Sequence, residues 1–534
     1  MAKTWPCGLL GLVTFTALNQ ILFWADNDIL LAYLRTEVRC DTTGQTRVPS
    51  HSVDWSGSAH CYDKDYVLKE AASMASLQTT AAALTNIATL SFLGALADSY
   101  GRRPMIILTS VGWIINFVLL WANATFLHRF IFVIAATVLR NCITSSDSAT
   151  RAIIADITAP AARANAMALN YGAAAFGMIL GFAAGLAILS QDLTNYSAVW
   201  AAEGFGSLVL LGATHFLIIE SRPQLERENS RRELGCAIAN PIRGVNLVLR
   251  SRHLFWLSAC VVLSTTALVG FIVVNSSFLI SCRDWSQTLA AVPGVAIQPF
   301  IMFGAAMSNV LDKKCGLSLG QVFMFGLCCE TVCYLGLACL APFSDGWCWF
   351  FQLVLGVGIG ITVPVYQTLS TLGVSPPHQA KVQSLVSIAA SLGSVISGLV
   401  YGPVLFDSKA RGYSAGKPFV VCAVLNVLAT IVFCLLSHPY TPRLEDATDP
   451  HGDSADDHVL AAEQRAKAAA AAAAGGSAAG RDAEVGGKGK DQGLEQPLLL
   501  PNSGRDSAQL PSDLLDRDRE RHSLKRTPTN QQQL

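Results

Sequence analysis

Asp26 and Asp28 follow Asn19, Gln20 and Trp24 in an otherwise apolar stretch, and a second stretch carries Arg140, Asn141, Thr144 and Asp147. Charged side chains in such surroundings bind a proton, bind a solute or ion, or hold one another. Residues two apart on a helix point about 200° apart, so at most one of Asp26 and Asp28 faces a cavity squarely. The other reading leaves both solvated at the outer interface. A mid-membrane arginine costs at least about 2.5–3.5 kcal/mol, so Arg140 must face a central cavity or pair with a carboxylate such as Asp147. Gln298 precedes Pro299, and Tyr366 and Gln367 follow Pro364 and the glycines at 356, 358 and 360. Proline and clustered glycine at mid-membrane free backbone groups that must face protein or a cavity, so these three side chains are the candidate solute contacts. Glu203 and Glu330 are isolated acids for which the sequence suggests no role. No nucleophile–base set, CxxC or Cys/His metal spacing is evident, so neither an enzyme nor a cofactor or metal is expected.

The elements that must hold these residues are membrane helices. The chain is 51% hydrophobic and 14% charged, with zero formal net charge; an average soluble domain carries about 25% charged residues. Nothing in it suggests nucleic acid. A helix needs roughly 20 apolar residues to cross the hydrocarbon core. Twelve runs qualify, starting near Cys7, Glu70, Pro104, Phe130, Ala164 and Ala198, then near His253, Leu289, Leu319, Trp347, Lys381 and Pro418. The expected organisation is a six-helix unit at 1–219, a charged linker at 220–252, a second six-helix unit at 253–437 and a tail at 438–534.

Lysine and arginine set the orientation. Arg102, Arg103, Arg151, Arg163, Lys313, Lys314 and the linker fall on one side, which is therefore cytosolic together with both termini. The sequons at Asn123, Asn195 and Asn275 are expected at outer loops. Cys40, Cys61, Cys282 and Cys348 also fall on the outer side. There an oxidising milieu permits a bridge from Cys40 or Cys61 to Cys282, a local Cys40–Cys61 loop, or free thiols.

The second and third runs are separated by Gly94-Ala95-Leu96-Ala97-Asp98-Ser99-Tyr100-Gly101-Arg102-Arg103-Pro104. Lipid cannot satisfy these charges, so the turn sits at a water interface. Gly94, Asp98, Gly101, Arg102 and Arg103 match the G-x-L-x-D-x-x-G-R-R/K loop of the major facilitator superfamily. The chain resembles that superfamily over about residues 7–437, and most of all its twelve-helix drug:proton antiporter and tetracycline-resistance-like members. The resemblance implies an all-α membrane protein with twelve transmembrane helices in two six-helix bundles. It further implies that Asp98 pairs with neighbouring helix ends and that the arginines lock the cytosolic side. A degraded copy of the turn follows Gly304 as Asp312-Lys313-Lys314-Cys315-Gly316. Arg140 is similar to a helix-4 arginine linked to proton coupling, with Thr144 at the family's glycine. Asp156 and Arg163 flank a loop like that of the antiporters, as gate partners. Gly177, Gly181 and Gly185 resemble the antiporter signature, with Phe182 and Leu186 departing from it, and plain helix packing accounts for them as well. The run from Pro376 to Gln383 resembles the inner loop before helix 11, with Ala380 where the family has glycine.

Past residue 437 apolar periodicity stops, and an alanine run (468–474) with Gly/Ser and mixed charge reads as a disordered cytosolic tail. Within it, Glu495, Leu499 and Leu500 form the acidic-dileucine pattern that vesicle-coat adaptors read, which sets an endosomal, lysosomal or vacuolar membrane against the plasma membrane. The expected function is secondary active, proton-coupled movement of a small organic solute across the bilayer. A facilitative uniporter and a non-transporting receptor or trafficking protein with the same fold are the alternatives.

Overall fold

A computed structural model describes residues 8–23, 30, 64–127, 129–144, 146–191, 196–221, 251–372 and 379–437. Among the described residues there is no strand, and eleven helices are long and apolar enough to cross a membrane, with a shorter apolar helix before them. That first helix is α1 (Gly8–Phe23). The next five spans are α2 (Lys64–Tyr100), α3 (Arg102–Ala122), α4 in two pieces, α4a (Phe130–Ile143) and α4b (Ser146–Ile157), α5 (Pro160–Gln191) and α6 (Tyr196–Leu217). The second set is α7 (Arg252–Cys282), α8 in two pieces, α8a (Gln287–Ala296) and α8b (Gln298–Lys313), α9 (Leu319–Cys339), α10 (Asp345–Leu369), α11 (Gln379–Val400) and α12 (Lys417–Val432). Each coincides with one of the twelve apolar runs, because in hydrocarbon a helix satisfies its backbone groups internally.

Helix starts at the interface are held by side chains. Ser318 accepts a hydrogen bond from the Gln321 amide at 3.3 Å while Gln321 accepts from the Ser318 amide at 2.9 Å, a reciprocal cap on α9. The interruptions have different origins. At α8, Pro293 and Pro299 flank the break at Ile297. At α4, Thr144 turns extended (φ −91°, ψ 120°) and returns both its N–H and its hydroxyl to the Arg140 carbonyl, at 3.0 and 2.8 Å. α10 runs whole through its glycines and Pro364.

One apolar core gathers residues of α1–α6 around Trp113, Phe117 and Trp200; another gathers α7–α12 around Phe271, Tyr334 and Phe419. Leu68 and Ala72 of α2 and Ala175 of α5 join the second core, so the halves meet along α2–α11 and α5–α8. At the end of α2 remote from Gly101 the approach is backbone to backbone. A Cβ added to Gly398 would stand 2.7 Å from the Ser76 carbonyl, and one on Gly402 would stand 2.9 Å from the Ala72 carbonyl. Phe182 meets Gly294 at the same end, 3.0 Å from the site of a Cβ there.

One outer-side expectation changes. Asn123 is buried at the end of α3, where its side-chain oxygen accepts the Arg129 amide at 2.9 Å, and Asn275 lies inside α7, donating to Gln352 at 3.2 Å. Neither sits in an open loop; Asn195 lies outside the described residues. Cys282 and Cys348 are both thiols, the latter accepting from Gln352 at 3.1 Å. Cys40, Cys61, the linker between 222 and 250, and everything after 437 also lie outside the described residues.

Candidate functional site

The turn at the foot of α2 is built on Gly101, whose φ of +106° suits only glycine. This conformation starts α3 directly beneath α6. The amides of Arg102 and Arg103 donate to the two carboxylate oxygens of Glu220 at 3.1 and 3.2 Å, placing an anion on a helix N-terminus where the dipole favours it. Arg102 is 1% exposed and reaches α4b, where it pairs with Asp156 and donates to the Ala152 carbonyl. Its other side lies 4.0 Å from buried Asp98. Ser221 donates to Asp156 at 2.9 Å, and Arg103 donates to the His215 carbonyl at 2.6 Å. Gly94 is buried one turn above. A single arginine thus ties α2, α3 and α4b together while Glu220 brings in the end of α6.

Arg163 lies within the field of the Asp156 carboxylate; it donates to the Ala155 carbonyl at 3.1 Å and, across the halves, to the Thr371 carbonyl at 3.4 Å beyond the end of α10, so it joins two helix ends through their backbone. The degenerate turn after α8b makes no latch. Asp312 is half-buried, and Lys313 and Lys314 are exposed.

Between the halves lies a cavity of about 460 Å³. Arg140, Asn141, Asp147, Tyr366 and Gln367 all line it. Arg140 is nearly buried, its guanidinium 4.6 Å from the Trp113 ring centre and 5.7 Å from that of Phe23. Trp113 is held by its own N–H donating to Asn19 at 2.9 Å. Asp147 is exposed and stands 3.8 Å from Arg151, so the ion pair along α4b is with Arg151 rather than with Arg140. Gln298 is a correction: it does not line the cavity, because it folds back to donate to the Gly294 carbonyl at 3.0 Å across the α8 break. Asp26 and Asp28 lie outside the described residues.

Glu330 is one of the two acids for which the sequence suggests no role. It sits in the middle of α9, is 2% exposed, and still lines the cavity. Helix α10 stands beside it with Gly358 at the crossing, where a Cβ would fall 2.7 Å from the Glu330 Cγ. The missing side chain lets a residue of α9 reach past α10. Asn426 of α12 donates to its carboxyl at 2.9 Å, and the Thr362 hydroxyl faces it from α10. The clustered glycines of α10 were the available signal.

A family model described as the Major Facilitator Superfamily matches residues 66–398. The class C tetracycline resistance protein of Escherichia coli is 24% identical over 344 residues, which cover 63% of this chain and 80% of that protein. The class D protein of Salmonella ordonez is 24% identical over 365 residues, covering 65% and 83%. Among solved structures, the human organic anion transporter MFSD10 superposes with a TM-score of 0.61 at 18% identity, covering 80% of this chain and 99% of that one. The xylose transporter XylE of Escherichia coli, in a partially occluded inward-open conformation, gives 0.56 at 14% identity, covering 79% and 96%.

Proposed function

The chain belongs to the major facilitator superfamily, and from that premise we propose that it is a secondary active transporter that carries a small organic solute by alternating access, coupled to protons. It is an integral, multi-pass membrane transporter and not an enzyme. The observation that carries the proposal is the position of the cavity, lined by polar as well as apolar side chains between two helical halves that meet chiefly along α2–α11 and α5–α8. Such a site can be exposed to either side by rocking one half against the other. The moving units in this reading are 1–219 and 253–437, joined by the linker at 220–252.

Arg140 supports the proton-coupled form, since a cation held at the cavity wall beside a helix break can answer to the charge state of nearby acids. Asp26 and Asp28 are the proposed proton-binding acids. The test is uptake by the purified full chain in sealed vesicles under an imposed pH gradient. Tetracycline is the first probe, because curated relatives are tetracycline resistance proteins. Xylose and organic anions follow, because the structural neighbours transport them. Gradient-driven accumulation is expected, with Asp26→Asn or Asp28→Asn abolishing accumulation and sparing exchange. Uptake indifferent to the gradient would make the protein a facilitative uniporter. The departure at Phe182, which fills the space beside Gly294, favours that second reading.

A further inference from the structure

Hydrogen-bond donors and acceptors around Glu330 balance only when its carboxyl group carries a proton. The side chain is almost fully buried and reaches the cavity through the gap at Gly358. Two side chains meet its oxygens, Asn426 from α12 and Thr362 from α10. Asn426 donates its side-chain N–H to one of them at 2.9 Å, while its own oxygen, Oδ1, is buried and finds no hydrogen-bond partner among the described residues. Thr362 has a single hydroxyl proton and directs it to the Gly358 carbonyl, 2.9 Å away, so what it turns toward Glu330 is a lone pair. The carboxyl group thus sits among one donor and two acceptors. An ionised carboxylate only accepts and answers neither acceptor, whereas the protonated form brings an O–H donor.

The surroundings hold no compensating charge. Cys329, Cys333 and Tyr334 stand near it on α9, the Tyr334 hydroxyl buried and without a hydrogen-bond partner among the described residues, and Tyr171 of α5 lines the same cavity. All four are neutral at physiological pH. α8b and the 412–416 segment also pack on α9 and bring no titratable group to Glu330, and no described side chain forms an ion pair with it. A carboxylate in such a place is far costlier to bury than a neutral acid.

We propose that Glu330 is a proton-binding site in the second half of the molecule, occupied in this conformation and exchanging its proton with water in the cavity. It is separate from Asp26 and Asp28, and its part in coupling rests on the proton-driven reading above. On release the O–H bond breaks, the proton passes to a cavity water, and the carboxylate keeps the Asn426 N–H. The Thr362 hydroxyl then turns from the Gly358 carbonyl to the carboxylate, which frees a backbone acceptor within the glycine-rich stretch of α10. Loss of the proton therefore reaches the backbone of the helix that crosses beside it. A metal cation suits the pocket less well, since it needs several oxygens turned toward it and Asn426 presents an N–H.

The experiment is infrared spectroscopy of the purified full-length protein at neutral pH. The wild type should show a carboxylic-acid C=O band that shifts in heavy water and is lost in Glu330→Gln, whose side-chain N–H replaces the O–H donor. If that variant fails to fold, Thr362→Val decides: it removes the hydroxyl facing the acid and should displace the band, and an unmoved band overturns the proposal. Identical spectra for wild type and Glu330→Gln, or a band indifferent to heavy water, also overturn it. So does a band abolished by sodium ions at constant pH, which would make the pocket a metal-cation site. Uptake in sealed vesicles is the second measurement. Glu330→Gln should lose gradient-driven accumulation and keep solute exchange; accumulation left intact removes Glu330 from coupling. A Glu330 band in a wild type whose uptake ignores the gradient refutes the proton-driven reading and upholds the proton site. Gradient-driven uptake with no such band does the reverse.

Discussion

The turn after α2 and the turn after α8b occupy equivalent places in the two halves and each carries an acid, a basic pair and a glycine, in different order, yet only the first is a latch. Arg102 is buried, paired with Asp156, close to Asp98 and fixed at its backbone by Glu220. Lys313 and Lys314 lie in the open, and Gly316, at φ +66°, has nothing within 4 Å of where a Cβ would sit. Chemistry explains part of the difference. A guanidinium offers a planar fork of donors that can serve a carboxylate and a carbonyl together, whereas an ammonium is a point charge that prefers water. The other part is supplied by the neighbours, since Asp156 and Glu220 come from separate helix ends that converge on the first turn. The same motif is therefore a joint in one half and a plain water-facing turn in the other.

The comparison can be broken most directly at Arg102. Arg102→Ala strips the partner from a largely buried carboxylate and should cost about 3–5 kcal/mol, read as a drop in melting temperature of the detergent-solubilised protein. A variant melting with the wild type would reduce the first turn to a positively charged loop like the second. Gly101→Ala comes next, at about 1–3 kcal/mol, because an alanine at φ +106° is strained and its Cβ would stand 2.8 Å from the Glu220 Cδ. Hydrogen exchange should quicken at the amides of residues 102 and 103. Gly316→Ala meets backbone strain alone, and its smaller loss separates the conformational cost from the cost of displacing a cap. Smallest of all, Lys313→Ala should fall within about 0.5 kcal/mol of wild type.

The spans were legible because lipid leaves the chain so little choice: an apolar run long enough to cross must be a helix, and all twelve starts lie close to where hydropathy places them. The first turn was legible because its motif is local. What escaped were features that depend on a neighbour. Thr144 carries no proline or glycine signal, and its extended backbone depends on bonds returned to the Arg140 carbonyl. Gln298 looked like a cavity residue but is turned away by the α8 break beside it. Glu330 is a lone acid in the apolar run of α9, and it reaches the cavity only because Gly358 on another helix lacks a side chain. Glu220 was one acid at the edge of a charged linker until α6 carried it to the start of α3.

Helix α2 is unbroken over 37 residues, about 55 Å of rod in a hydrocarbon layer about 30 Å deep. Near one end Ser76 and Ala72 lie against Gly398 of α11 and Gly402 just beyond it; at the other Asp98 lies beside Arg102. Positions 76 and 98 are about 33 Å apart along its axis, so a tilt of about 5° swings one by about 3 Å relative to the other. An excursion of that size is enough to part a hydrogen bond. Mechanically the helix is a crowbar: whatever prises the glycine seam apart also tugs on the arginine joint, and load applied at either end is felt at the other.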